Sequence, residues 1–537
     1  MKKVFSLVLV LSLALFLCGF GAKTQFKGEG TEASPYLIAN AADLKNAVKL
    51  INGNDTAKQY STAHYRLTAD INWGNKKWDP IGSYTKGFKG VFDGNGHTIS
   101  GLRIDYKDPL FGEKLTYIGF FAELEGKVCN LTISKSTVSS KSDTLHYCAV
   151  LVGRLQSGIV ENCHTTDSVK VSSAMGSAGL VGFARENSQI INCSNAASVH
   201  TTTNIGSAAG IVTHADCLVA DCSNSGTITG VGDCSGIVSN ANSGVSGCTN
   251  SGTVTSEKKY AAGITCHFDD GALNKNQSNA EVTMENCTNS GTITSKGDIA
   301  GGIAVSCRTG IVKNCENAGD VHAVSEAGGI FAYFQKSSFG IPVPKFTVLD
   351  CTNSGSITLV SEIGHGTAGG ICGTLYGSKD TEILFENCVN TGSVTVEGQK
   401  NVANITGPAG GIIGDGHVRS LQLKNCTNSG SIHGARIAGG IMGSVNVVNH
   451  DDVTDASFLA EGCINEGTVF VQDAGGLTEY LYAGGILGKR ADLVLAGKDF
   501  TEVTFQNCSN TGSLEGSEGG APLCADDLCA SNKAVYK

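Results

Sequence analysis

From about Val160 onward one phrase keeps returning: Asn-Cys-x-Asn-x-Gly, a β-branched strand, then Ala-Gly-Gly-Ile. Its cysteine falls at Cys163, Cys193, Cys222, Cys248, Cys287, Cys315, Cys351, Cys388, Cys426, Cys463 and Cys508. An asparagine stands two places later at Asn195, Asn224, Asn250, Asn289, Asn317, Asn353, Asn390, Asn428, Asn465 and Asn510, and fails only at Thr165. The intervals run from 26 to 45 residues, so a core unit of under ~30 carries insertions, the signature of a solenoid, propeller or array.

The strands within a unit choose among these. Thr292-Ile293-Thr294, Ile299–Ala304 and Ile311–Asn317 are three short β segments separated by polar turns, with no 3.6-residue period. A propeller blade needs four antiparallel strands in about 40 residues, and the shortest units are too small for that. The Leu-x-x-Leu-x-Leu phrase of leucine-rich repeats is absent. Three strands per rung of a parallel β-helix remain, all-β apart from one short helix. Composition agrees: 71 glycines in 537 residues disfavour long helices, and 7 prolines without a triplet period exclude collagen. At 41% hydrophobic residues the chain can bury a core and escape disorder.

Stacking assigns roles. Alternation turns Val254, Ile293 and Ile357 inward and their Thr and Ser neighbours outward. The cysteines form an inward column of small apolar thiols. The asparagines stack at a corner, where Asn tolerates left-handed backbone and its amide bonds the next rung. About a dozen rungs spaced ~4.8 Å apart give a rod of roughly 60 Å.

The remainder of the chain divides around the repeats. Residues 1–21 read as an export signal: Lys2 and Lys3, an apolar run from Val4 to Leu17, and small residues Gly19 and Gly21 before the cut. Cys18 offers a lipoprotein alternative, against which stands bulky Leu17. Residues 22–88 read as an N-terminal cap whose helix starts at Asn40 and buries Leu44, Ala47, Val48 and Ile51. Rungs occupy 89–515 and a tail or cap 516–537. No later segment has the 18 or so apolar residues of a membrane span. Removal of the two signal lysines takes the formal charge from −10 to −12, which points away from nucleic acid and anionic membranes.

Particular phrases carry a resemblance. Ser34-Pro35-Tyr36-Leu37-Ile38, Asp43-Leu44, Leu67-Thr68-Ala69-Asp70-Ile71 and Gly90-Val91-Phe92-Asp93-Gly94-Asn95-Gly96 resemble bacterial surface proteins containing GLUG motifs. Gly411-Ile412-Ile413-Gly414 and Gly485-Ile486-Leu487-Gly488 resemble the motif itself. The likeness runs from about Lys27 to Ser513. It implies a right-handed, pectin-lyase-like parallel β-helix, often found in adhesins. Some such proteins carry an immunoglobulin-A metallopeptidase domain, but no His-Glu-x-x-His occurs here and that activity is not carried over. Family members also tend to add a surface anchor, and none is read after Tyr536-Lys537.

Chemistry-bearing patterns are sparse. Gly364-His365-Gly366 matches a short polygalacturonase phrase, yet Asp269-Asp270 and Asp451-Asp452 lie in separate insertions, and no Arg-x-Lys follows. No Cys-x-x-Cys or acidic cluster reads as a metal site, so neither metal nor cofactor is expected. Stacked cysteines point the same way, which predicts mostly free thiols, with Cys217–Cys222, Cys307–Cys315 and Cys524–Cys529 as candidate bridges. Thr-x-Thr at 227–229, 253–255 and 292–294 reflects ordinary β-propensity and not an ice-binding face, because Asp320, His322, His433, Phe470 and Glu515 break the array. Sequons at Asn192, Asn286, Asn425 and Asn507 are by-products of the repeat.

Long insertions at about 267–284, 333–348, 374–385, 444–460 and 489–505 leave one corner of the rod, where solenoids often bind. Tyr333, Phe334, Phe339 and Phe346 are the candidate ligand-stacking rings, although the same rings would serve to cover an apolar flank. The expectation is a secreted or surface-exposed, non-catalytic β-helix that adheres to a host or matrix glycan or protein. A polysaccharide lyase or hydrolase of the same fold, or a purely structural surface component, are the alternatives.

Overall fold

A computed structural model describes residues 26–53, 60–83, 85–106, 115–140, 145–269, 282–308, 310–335, 343–361, 366–398, 407–448, 455–472, 481–490, 502–516, 523–524 and 534–536. The export signal, Cys18, Phe339, His365, Asp270, Asp451 and Asp452 lie outside them. The chain winds as a right-handed parallel β-helix with three sheets, one broad and two of 12 strands each. Among the described residues the ladder pairings between rungs are parallel, and the repeat units stack in register, as in Asn289↔Asn317↔Asn353.

Each rung is more finely broken than three strands. The segment read as Ile299–Ala304 splits into Ala300–Gly301 and Ala304–Cys307, which belong to different sheets. The segment read as Ile311–Asn317 splits into Ile311–Lys313 and Glu316–Asn317 around Asn314, whose φ is 50°. A left-handed residue bends the strand there, and Asn bears that conformation more readily than other side-chain-bearing residues.

That bend corrects the asparagine assignment. The left-handed position is the residue just before the ladder cysteine, occupied by Asn162, Asn192, Asp221, Asn286, Asn314, Asp350, Asn387, Asn425 and Asn507, or by Gly247 and Gly462. The asparagine two places after the cysteine is extended and inward. Asn195 through Asn465 are buried, and each donates its Nδ2 to the Oδ1 of the next: 195→224→250→289→317→353→390→428→465→510, at 2.7–2.8 Å. The second amide hydrogen goes to the carbonyl two residues on, as from Asn353 to Gly355 at 2.9 Å. Thr165 begins the chain with its hydroxyl on Asn195 Oδ1 at 2.7 Å. Amides stacked this way satisfy their buried polar groups and polarise one another.

The cysteine column lies beside this ladder. Its members are free thiols, buried except for half-buried Cys508. Each donates to the carbonyl two residues earlier, as Cys193 does to Ile191 at 3.2 Å and Cys351 to Leu349 at 3.3 Å. Cys217, Cys222, Cys307 and Cys315 are also free, so the two bridges considered among them do not form. Cys307 ends a third-sheet strand and Cys217 precedes the strand Leu218–Ala220, so neither belongs to the column that holds Cys222 and Cys315. Cys524 is disulfide-bonded, and Cys529 lies outside the described residues. Burial pushes the thiols of Cys148 and Cys217 up to about 12, so both stay protonated and unreactive at neutral pH.

The cap grows directly into the ladder. Helix α1 (Ala41–Asn52) is capped by Asn40, whose side chain accepts from Ala42 N at 2.9 Å and Asp43 N at 3.0 Å. Its buried face is Leu44, Ala47, Val48 and Ile51. Parallel pairing already begins at Tyr36↔Tyr65↔Phe92, ahead of residue 89, and Ala534–Tyr536 adds to Val503–Phe505 near the other end.

Candidate functional site

The split inside Ala-Gly-Gly-Ile creates a crease on the outside of the rod. The two 12-stranded sheets meet there, and outward side chains from both converge. From the third sheet comes one in-register column: Glu123, Arg154, Phe183, His214, Asn240, His267, Ser306, Tyr333, Thr374, Asp415, Ser444 and Lys489. From the second sheet, at the place that precedes Ala-Gly in the later rungs, stand residues such as Tyr117, Tyr147, Asp233, Glu326 and Tyr482. Twelve strands at ~4.8 Å make this groove about 50 Å long.

Contacts across the crease show that the columns face each other. Tyr147 meets Phe183 edge-on at 5.3 Å, and Phe183 stacks on His214 at 4.6 Å with the rings 4° from parallel. The Arg154 guanidinium lies 5.3 Å from the Tyr117 ring. His267 sits 5.4 Å from Tyr260 and 3.4 Å from Asp233 Oδ2. Tyr376 donates its hydroxyl to Glu326 Oε1 at 2.6 Å and stacks on His417 at 6.1 Å. Lys489 lies 4.7 Å from the Tyr482 ring. Ala262, Cys266, Val305, Ala332 and Tyr333 form a small apolar cluster of their own, separate from the main core.

The electrostatics are unusual for an outer surface. Burial pushes Glu326 up to about 7, against the lowering effect of the Tyr376 hydroxyl, and Asp298 and Asp415 add like charge. Burial likewise lifts Glu123 to about 7 although Arg154 stands 3.5 Å away. Burial also pulls Asp216 upward, but hydrogen bonds from His214 at 3.0 Å and Asn242 at 2.9 Å outweigh it and hold that carboxyl low. Asp415, 3.2 Å from His417, raises the imidazole. Several buried polar atoms have no hydrogen-bond partner: Asp233 Oδ1, Glu326 Oε2, and Nε and Nη2 of Arg436. Orphaned groups of this kind each cost about 1–3 kcal/mol and are normally satisfied by something.

The shifted carboxyl sets a pH dependence. The folded pKa of Glu326, about 7, exceeds its unfolded value of 4.5, so the native state holds the proton longer. Stability therefore falls as pH rises from about 4.5 to about 7. Glu326→Gln is expected to stabilise the protein by up to about 3 kcal/mol at pH 8 and to change nothing at pH 4. Urea unfolding at both pH values checks this, and an equal gain at pH 4 contradicts it.

The ring cluster expected to stack on a ligand is placed differently. Phe334 and Phe346 are fully buried and stack on each other at 4.2 Å inside the rod. They alternate with outward residues in their strands and so fall on the core face. Tyr333, 7% exposed, is the one described member that reaches the groove. Nor is Asp269 a free acid in an insertion: it is buried and paired with Arg308 at 3.2 Å. Insertions also leave a second corner, between the broad and second sheets, after Ser361, Gly398 and Gln472. Among the described residues no His, Cys, Asp or Glu group is arranged to hold a metal, and no helix is long and apolar enough to cross a membrane.

The repeat pattern alone does not reveal the groove, including Asp233, Glu326, Tyr376, Asp415 and His417. One signal for it is present in the sequence. The residue before each Ala-Gly-Gly and the third after its Ile vary freely in size and charge within an otherwise constant phrase.

No family model matches the chain. It is 33% identical over 191 residues to halomucin of Haloquadratum walsbyi, a match covering 33% of this chain and 2% of that protein. It is 32% identical over 146 residues to a candidate Gly-rich membrane protein of Evansella cellulosilytica, covering 25% of this chain and 15% of the relative. The chain thus spans a small part of either relative. Among solved structures it is similar to a candidate immunoglobulin A1 protease from Bacteroides ovatus, at 18% identity and a TM-score of 0.31, covering 72% of this chain and 85% of that one.

Proposed function

We propose that this chain is an exported, surface-displayed or secreted β-helix that binds an extended glycan along the outer groove. One observation carries the reading: aromatic and imidazole faces alternate there with buried polar atoms that lack partners. A sugar chain offers the complement, apolar ring faces for Tyr147, Phe183 and Tyr376 and hydroxyls for Asp233 Oδ1 and Glu326 Oε2. The export signal read at 1–21, and the partial match to a protein named for the membrane, support a location outside the cytoplasm. Adhesion to a host or matrix glycan follows from that location together with the groove.

A glycan array followed by titration tests this. Phe183→Ala and Tyr376→Ala are each expected to weaken binding at least about tenfold, as loss of a central aromatic anchor does. Thr294→Ala on the broad sheet leaves it unchanged. Array-wide absence of binding, or unaltered affinity in both groove variants, defeats the reading.

A cleaving enzyme is the second reading, and Glu326 favours it. A carboxyl that keeps its proton to about pH 7 beside further carboxylates is the kind of group that serves as general acid toward a glycosidic oxygen. Release of reducing ends that vanishes in Glu326→Gln, with binding retained, would establish it. Binding without release leaves the non-catalytic reading in place.

A further inference from the structure

A second site lies at the N-terminal end of the rod, lined by none of the groove residues. A cleft of about 690 Å³ opens between α1 and the strand Ile71–Lys77. That volume is within the range of small-ligand sites. Its lining includes Lys45 and Lys49, one helical turn apart, and Lys76 and Lys77 from the strand, with Trp73 and Trp78 between them.

The local backbone is shaped for this. In a regular strand Lys76 and Lys77 would point to opposite faces. Here the register slips between Asn72 and Lys76, with Gly74 at φ 77° and Asn75 at φ 57°. Such a bulge re-aims side chains, and both lysines line the cleft. Trp78 is buried and stacked on Phe120 at 4.5 Å, and its Nε1 donates to the Phe120 carbonyl at 3.0 Å. Half-buried Trp73 rests edge-on against Trp78 at 4.9 Å, and its Nε1 donates to Lys77 O at 3.3 Å. Both rings are therefore held in place before any ligand arrives.

The charge is the reverse of the chain's own. In a protein of formal net charge −10, four lysines line one cleft whose lining holds a single carboxylate, Asp79. Among the described residues none of the four lysines forms an ion pair. We infer that this cleft binds an acidic saccharide unit, carboxylated or sulfated, with the sugar ring against Trp73 and the acidic group among Lys45, Lys49, Lys76 and Lys77. The indole favours a saccharide over a bare anion, since a bare anion has no apolar face to stack. The lysines favour an acidic sugar over a neutral one. This site stands independently of the groove proposal.

The chain supplies its own reporter, because its 2 tryptophans are both in this cleft. Intrinsic fluorescence of the full chain is titrated with a polygalacturonate hexamer, a heparin-derived hexasaccharide, a neutral cellohexaose and sodium sulfate. A saturable shift is expected with at least one acidic hexamer, weakening as salt rises, and none with cellohexaose. The double variants Lys45→Gln/Lys49→Gln and Lys76→Gln/Lys77→Gln, on exposed positions, are each expected to weaken it at least about tenfold, and Tyr376→Ala leaves it intact. The inference is overturned if neither acidic probe gives a saturable shift, or if both double variants bind as the parent does. Sulfate alone competing as tightly as the hexamers also overturns it, by showing a simple anion site.

Discussion

Asn353→Ala is expected to destabilise the rod by about 4 kcal/mol. Asn353 is fully buried, accepts from Asn317 Nδ2 at 2.7 Å, and donates to Asn390 Oδ1 at 2.8 Å and Gly355 O at 2.9 Å. Alanine leaves a donor above, an acceptor below and a carbonyl beside it without partners where water does not reach. Each such group costs about 1–3 kcal/mol. Asn353→Thr should recover part of the loss, since Thr165 shows that a hydroxyl can feed the ladder. In a solenoid the damage is carried by nearest neighbours, so hydrogen exchange should rise first in the rungs of Asn317 and Asn390. Urea unfolding measures the sum, and a loss below about 1 kcal/mol would show that the ladder is decoration.

Gly370→Ala is expected to cost about 3 kcal/mol or more, through a different cause. A Cβ there would lie 2.1 Å from the Gly411 carbonyl oxygen of the next rung and 2.4 Å from Asn390 Cγ. Neither can yield, because one is backbone and the other is fixed in the amide ladder. The rungs must part or the amide must leave its partners. Gly244→Ala is the control, with no atom closer than 3.6 Å, and should be close to neutral. The two substitutions are compared by urea midpoint and by soluble yield, and similar values for both would remove the role given to the Gly-Gly pair.

These two positions also show which parts of the molecule the chain spells out. The period, inward strands and cysteine column are readable because a rung repeats whatever the stack demands, and Asn353 and Gly370 recur in nearly every unit. Position within the phrase is harder to read. Two asparagines flank each cysteine in most units, and only the backbone tells that Asn314 bends the strand while Asn317 feeds the ladder. The Gly-Gly-Ile phrase looks like the middle of one strand. It is a crease, because glycine allows the close approach of two backbones that any side chain would prevent.

The groove stays hidden for the opposite reason. Its residues are the ones that do not repeat: Asp233, Tyr260 and Glu326 hold equivalent places in successive or nearby rungs, a phenol between two carboxyls of different reach. Pattern recognition discards such positions as variable surface. Phe334 and Phe346 mislead in the other direction, since aromatic residues near an insertion read as exposed while strand alternation turns them into the core. In a repeat protein the constant residues build the rod, and the variable ones that share a register form its surface chemistry.

In the proposed function an extended glycan lies in the crease between the two narrow sheets. Hydroxyl-radical footprinting of the intact chain, with and without the tightest glycan from the array, tests it most directly. The expected result is protection concentrated at Phe183, His214, Tyr376 and His417. Protection confined to the Thr229, Thr255 and Thr294 face of the broad sheet, or to no surface at all, would contradict it.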